Sequence, residues 1–117
     1  MCLVTDAIRY GGVTDLSNIG NAGTEAVPYI LEDGVAKLAD RSAFAGSIAT
    51  TDALVRVCYK RAGIPLTDAV KMITVIPAEM MGLANKGTLA EGYDADIVIF
   101  DEDVNVDCVI VSGKRIA

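Results

Sequence analysis

The apolar positions change period along the chain, and each change marks a predicted element. Cys2-Leu3-Val4-Thr5 is a short apolar, β-branched run that stops on Asp6. Near-continuous apolar runs of this length read as a buried strand of a parallel sheet, so residues 2–6 are predicted to be one. Residues 9–25 are rich in Gly, Asn, Thr and Ser, which is loop composition directly after that strand. The loop is either a place for substrate contacts or a disordered linker. Val27–Leu31 and Val35–Leu38 are β-prone runs around Glu32-Asp33-Gly34, and Asp-Gly between such runs predicts a hairpin. Pro28 has no N–H to donate, which puts its strand on an edge.

After Phe44-Ala45-Gly46-Ser47 the period becomes helical. Ala53, Leu54, Val57 and Cys58 recur on one face while Arg56, Lys60 and Arg61 fall elsewhere, predicting a helix over 50–61 with Gly63 as its stop. A second helix is predicted from Pro65, with Asp68 in its first turn and Ala69, Val70, Met72 and Ile73 as its apolar positions. Pro77 is expected to end or kink it. From Lys86 onward the pattern is β again. Ala95–Asp101 forms one predicted strand, and Val109–Val111 with Arg115-Ile116 flank Ser112-Gly113-Lys114 as a second hairpin. These last strands and the hairpin at 27–38 are candidates for one shared small sheet.

Composition sharpens this picture in three respects. The 117 residues are 52% hydrophobic, with a mean hydropathy of +0.42, high for so short a chain. Either the core is tight and small, or apolar surface is meant to face something else; the second reading is favoured. The net charge of −6 argues against nucleic acid, whose phosphates call for Lys and Arg. No apolar run approaches the ~18–20 residues of a membrane-spanning helix, and no basic segment precedes an apolar one as in a signal peptide. Cys2, Cys58 and Cys108 are odd in number and far apart. They read as buried free thiols in a reducing compartment, hence cytoplasmic, with a disulfide or a metal site as the alternative.

Asp6 is the candidate catalytic residue, because catalytic carboxylates sit where barrel strands end. The competing role is a cap after a strand. The chain contains no histidine, so most side chains that would hold a metal beside Asp6 are absent. Gly46 lacks a Cβ and allows close backbone approach to a ligand. Ser47 or Thr50 is positioned to cap the following helix. Glu79 and Asp96 read as structural acids.

Ile76-Pro77-Ala78-Glu79-Met80-Met81-Gly82-Leu83, the stretch Lys86–Asp101 and the ending Val109–Lys114 resemble the C-terminal signature of the amidohydrolase superfamily. Leu3-Val4-Thr5-Asp6-Ala7, Phe44-Ala45-Gly46-Ser47 and the hairpin ending at Leu38 further resemble the N-acetylglucosamine-6-phosphate deacetylase family. That resemblance implies an α/β fold, the C-terminal part of a (β/α)8 TIM-type metallo-dependent hydrolase barrel plus strands of a small β-sandwich. Residues 1–26 would hold the last barrel strand and its loop, 27–38 a hairpin of the sandwich, 39–84 the closing barrel helices and 85–117 the C-terminal sandwich strands. It implies Asp6 as the catalytic aspartate, and Phe44, Ala45 and Gly46 as substrate contacts. It also implies an amino-sugar phosphate substrate and a divalent metal, zinc by expectation, whose ligands lie on barrel strands outside this chain. No metal is expected on this chain alone, and no activity. With apolar faces and strand edges left open, homo-oligomers are expected. The competing readings are a non-enzymatic oligomerisation or binding module descended from an amidohydrolase, and part of another amidohydrolase acting on a cyclic amide or a dipeptide.

Overall fold

The structure is a computed structural model that describes residues 1–13, 22–23 and 28–117. Its elements run β1 (Ala22–Gly23), β2 (Pro28–Glu32), β3 (Val35–Leu38), α1 (Thr51–Arg56), α2 (Leu66–Lys71), α3 (Val75–Met80), β4 (Ile97–Phe100), β5 (Val106–Val111) and β6 (Lys114–Arg115). They fall into two compact units, one of Thr5–Thr50 and one of Met1–Val4 with Thr51–Ala117.

In the Thr5–Thr50 unit, β1, β2 and β3 form an antiparallel sheet in that order. The hairpin predicted around Asp33-Gly34 is present, with Glu32 opposite Val35. Asp33 and Gly34 both take positive φ, 54° and 76°, as a two-residue turn that follows strand twist requires. Pro28 does not place its strand at an edge: β2 is the central strand, pairing β1 on one side and β3 on the other. Pro28 is tolerated because it is the first residue of β2, where a missing donor breaks no ladder interior. The loop expected over 9–25 is divided. Residues 8–13 form turns, with Gly11 N–H donating to the Ile8 carbonyl at 2.9 Å, and Ala22–Gly23 are strand; 14–21 and 24–27 lie outside the described residues.

Residues 43–45 return alongside β3. Leu38 N–H donates to the Ala43 carbonyl at 2.9 Å, Ala45 N–H to the Ala36 carbonyl at 2.9 Å, and Phe44 bridges Lys37. Tyr29, Leu31 and Ala36 form the core here, with Ile8, Tyr10, Ala45 and Ile48 packed on it. Tyr10 meets Tyr29 edge to face at 6.3 Å between ring centres.

The other unit holds the helices and the C-terminal sheet. Residues 2–6, read from sequence as a strand, belong to no sheet; the Leu3 N–H instead donates to the Met72 carbonyl at 2.9 Å. A parallel strand needs neighbours, and among the described residues the end of this segment gains only a one-residue parallel bridge, Ala7 with Ser47. Helix α1 runs on into a single π-helical turn over Val57–Arg61, where Ala62 N–H reaches back to the Val57 carbonyl. The second predicted helix is two. The break comes at 72–74, before Pro77 rather than at it, and Pro77 lies in the first turn of α3, where no N–H is needed. The bonds tighten as α2 ends, with Ile73 N–H to the Val70 carbonyl and Thr74 N–H to the Lys71 carbonyl.

Strands β4, β5 and β6 form a second antiparallel sheet, separate from that of the hairpin, with a bulge at Ile99/Phe100. The two hairpins therefore do not share a sheet as the sequence suggested. Val55, Ala69 and Val104 make this unit's core, surrounded by Cys58, Tyr59, Leu66, Val70, Ile73 and Phe100. All three cysteines are unpaired and half-buried. Among the described residues no helix is long and apolar enough to cross a membrane.

Candidate functional site

The segment 6–12 runs beside 46–48, and the backbone of Ser47 ties them. Ser47 N–H donates to the Asp6 carbonyl at 3.0 Å, and Ile8 N–H donates to the Ser47 carbonyl at 2.8 Å. Ala7 and Ser47 thereby form a one-residue parallel bridge. Gly12 N–H continues the contact to the Ile48 carbonyl at 2.8 Å. Four residues that sequence reasoning treated as two separate motifs, Asp6 on one side and Phe44, Ala45 and Gly46 on the other, thus lie in one unit and partly in contact.

Their surroundings differ. Asp6 is exposed and sits at φ +47°, a left-handed conformation that Asp tolerates better than most residues. Its carboxylate makes no hydrogen bond among the described residues. Phe44 is 75% exposed, so its ring is available to a ligand. Ala45 packs on the Tyr29–Leu31–Ala36 core, and its N–H is taken by the Ala36 carbonyl. Gly46 is at φ +102°, and a Cβ there would lie 2.6 Å from Ile8 Cγ2 and 3.5 Å from the Asp6 carbonyl oxygen. A side chain at 46 is excluded by conformation and by space alike.

Ser47 has a different task from the helix cap read from sequence. Its hydroxyl accepts the Ala49 N–H at 2.9 Å, a local turn that ends before α1 begins at Thr51. Its part in holding Asp6 is played by the main chain, which no side-chain pattern advertises.

The hairpin beside this site is laced with charge. The Glu32 carboxyl is held below its usual range by Arg41 first and then Lys37, at 3.0 Å each. Lys37 is raised above its usual value by Asp33 and then Glu32. These groups are solvent-facing, and such pairs contribute little to stability. A cavity of about 860 Å³, lined by Val55, Val70, Ile73, Phe100 and Val109 among others, belongs to the helical unit and includes none of Asp6, Phe44, Ala45 or Gly46.

The donor set does not fit a catalytic divalent metal. The 117 residues contain no histidine, and among the described residues no three His, Cys, Asp or Glu side chains converge.

Comparison with known proteins places these features in context. The amidohydrolase family profile matches residues 3–116. A Caenorhabditis elegans protein named N-acetylglucosamine-6-phosphate deacetylase is 35% identical over 117 residues, covering 99% of this chain and 27% of that protein. The crystal structure of N-acetylglucosamine-6-phosphate deacetylase from Pasteurella multocida superposes with a TM-score of 0.89 at 26% identity, over 99% of this chain and 30% of that one. A mutant of the Mycobacterium smegmatis enzyme, solved in complex with N-acetyl-D-glucosamine-6-phosphate, superposes with a TM-score of 0.82 at 32% identity, over 97% of this chain and 30% of that one. The chain spans under a third of the length of these relatives.

Proposed function

The chain belongs to the amidohydrolase family, and from that premise we propose that it forms the C-terminal part of an N-acetylglucosamine-6-phosphate deacetylase. The reaction is hydrolysis of the N-acetyl amide to glucosamine 6-phosphate and acetate. In this reading residues 1–26 carry the last strand of a (β/α)8 barrel and its loop, 27–38 a hairpin of a small β-sandwich, 39–84 the closing helices and 85–117 further sandwich strands. The observation that carries the proposal is the clamped Asp6, held by the Ser47 main chain beside Gly46, in a chain that follows deacetylase structures over nearly its whole length.

Amide hydrolysis needs water made nucleophilic and a proton for the departing nitrogen. Asp6 is assigned both tasks in turn. Its carboxylate takes a proton from the attacking water, then gives that proton to the amine nitrogen as the tetrahedral intermediate collapses. Positioned acid–base help of this kind is worth about 10²–10⁴-fold. Phe44, Ala45 and Gly46 are assigned to the sugar, Phe44 through its exposed ring and Gly46 through its main chain. The divalent metal, zinc on this reading, is assigned to side chains this chain does not contribute. Cytoplasmic residence and homo-oligomerisation belong to the same proposal.

Two measurements test it. The 117-residue chain by itself is expected to release no acetate from the sugar phosphate and to carry no stoichiometric metal; turnover with bound metal overturns that part. Grafted in place of the matching 27% of the Caenorhabditis elegans deacetylase, the chain is expected to support turnover, and Asp6→Asn to lower kcat about 10²–10⁴-fold. An Asp6→Asn graft at full rate removes Asp6 from the chemistry.

A further inference from the structure

We propose that Ile8 is a positioning residue for Asp6, seating it on the hairpin core through a steric fit with Gly46 and the main chain of Ser47. The inference rests on the reading of Asp6 as the proton carrier. It adds a residue that no catalytic motif marks, and it gives the β2–β3 hairpin a mechanical part in the site.

Three observations converge on Ile8. Its side chain packs on Tyr29, Leu31 and Ala36, the buried face of the hairpin. Its Cγ2 methyl occupies the space where position 46 lacks a Cβ, 2.6 Å from where that atom would be. Its N–H donates to the Ser47 carbonyl, while the Ser47 N–H holds the Asp6 carbonyl. Asp6, Ala7 and Ile8 are therefore bracketed by two hydrogen bonds to one residue, and the far end of the bracket is anchored in a core.

Asp6 needs such an anchor. It is exposed and its φ of +47° lies in a sparsely populated region for a residue with a Cβ. Residues held there persist only where the surroundings determine them. Nothing on the Asp6 side chain supplies that determination among the described residues, so the restraint comes through its main chain. A general base must stand within hydrogen-bond reach of its proton, and a displacement of about 1 Å can cost about 10²-fold in rate. Ile8 touches no reacting atom; it acts by fixing the rail on which Asp6 sits. Gly46 accordingly has a reason to be glycine besides access to the sugar: any side chain would displace Ile8.

The test separates the β-branched methyl from simple bulk. Ile8→Leu keeps volume and hydrophobicity but removes Cγ2, and such isosteric swaps leave folding largely intact. Ile8→Val keeps the branch. Amide hydrogen exchange on the 117-residue chain needs no turnover. In Ile8→Leu the Ser47 and position-8 amides are expected to exchange at least about tenfold faster, a loss of protection of the local-opening kind. The Ala45 amide, bonded to the Ala36 carbonyl, is expected to hold. Ile8→Val is expected to keep wild-type protection at all three. In the grafted enzyme Ile8→Leu is expected to lower kcat about tenfold or more with KM within about twofold, and Ile8→Val to restore it, the pattern of an interaction that matters in the transition state. Unchanged Ser47 protection in Ile8→Leu overturns the proposal, as does a raised KM at constant kcat, which would make the Ile8–Gly46 contact a matter of binding. Loss of the underlying reading shows separately, as full turnover in Asp6→Asn.

Discussion

Val104 is 2% exposed and sits at φ +63°, where a β-branched residue is a genuine outlier. The loop around it explains how the conformation is held. The Asp101 carboxylate accepts the Asp103 N–H at 2.9 Å and the Asn105 N–H at 2.8 Å, and Val104 N–H donates to the Asp101 carbonyl at 3.0 Å. Arg56 donates to the Val104 carbonyl at 2.6 Å and to the Asp103 carbonyl at 2.9 Å. The buried side chain outweighs the strained backbone: burial of a valine is worth about 1.5–3 kcal/mol, and the left-handed conformation costs about 1–2 kcal/mol. Val104→Ala loses most of the first and keeps part of the second. Val104→Gly loses more burial but relieves the strain. Both are expected to destabilise by about 1–3 kcal/mol, with glycine no worse than alanine, against its usual extra cost of about 0.5–1 kcal/mol. Urea midpoints of the two variants check this order. At this scale the sequence marks candidates by their side-chain chemistry. Asp6 could be nominated from its place after an apolar run, and Asp33-Gly34 from its turn chemistry. Ser47 as a main-chain clamp, Ile8 as a wedge and Val104 in a left-handed turn carry no such mark, because each depends on what the fold brings against it.

Elements were legible where local chemistry dominates. The Asp33-Gly34 hairpin, α1 and the Ser112-Gly113 turn follow from residue types whose backbone preferences coincide with the fold. The break between α2 and α3 was misplaced because Pro77 can stop a helix or enter one at its first turn, and tertiary packing chose the latter. The strand expected at 2–6 pairs into no sheet among the described residues, since strand pairing is not a local property. The C-terminal sheet also carries a pH prediction. The Asp96 carboxyl lies below its usual range through the Lys86 ammonium first and the Ser112 N–H at 2.8 Å second, and Lys86 is raised by Asp94 and then Asp96. A lowered carboxyl contributes stability that is complete above its unfolded value of about 3.9 and lost as pH falls through the folded one. A raised ammonium contributes stability complete below about 10.4 and lost as pH rises through its folded value. With no histidine in the chain, Tm is expected to stay flat from about pH 5 to 8 and to fall below about pH 4. Asp96→Asn is expected to make the acid limb shallower, a small change because these charges face solvent. A steep dependence between pH 5 and 8 would contradict the assignment.

The molecule as a whole has more apolar surface than its two small cores absorb. Leu89 is 76% exposed, Ile116 66%, Val98 and Ile99 51% each and Val106 45%, all in the unit that contains the C-terminal sheet. The high hydrophobic fraction implies this excess, whereas which residues carry it depends on strand pairing that the sequence does not specify. Strand β4 concentrates the exposure. It reads Ile97-Val98-Ile99-Phe100 with no polar alternation, as a strand covered on both faces does, yet it lies at the edge of β4–β5–β6 among the described residues. An edge with unpaired main-chain groups and apolar side chains recruits other chains, and a charged residue placed on it is the usual remedy. The chain is therefore expected to self-associate, with a light-scattering mass above its 12.2 kDa that rises with concentration. Val98→Lys with Ile99→Lys is expected to shift the mass toward the monomer while leaving the β2–β3 hairpin amides as protected from exchange as before, since they belong to the other unit. A wild-type chain that is strictly monomeric at every concentration would show that the exposed β4 surface does not drive association.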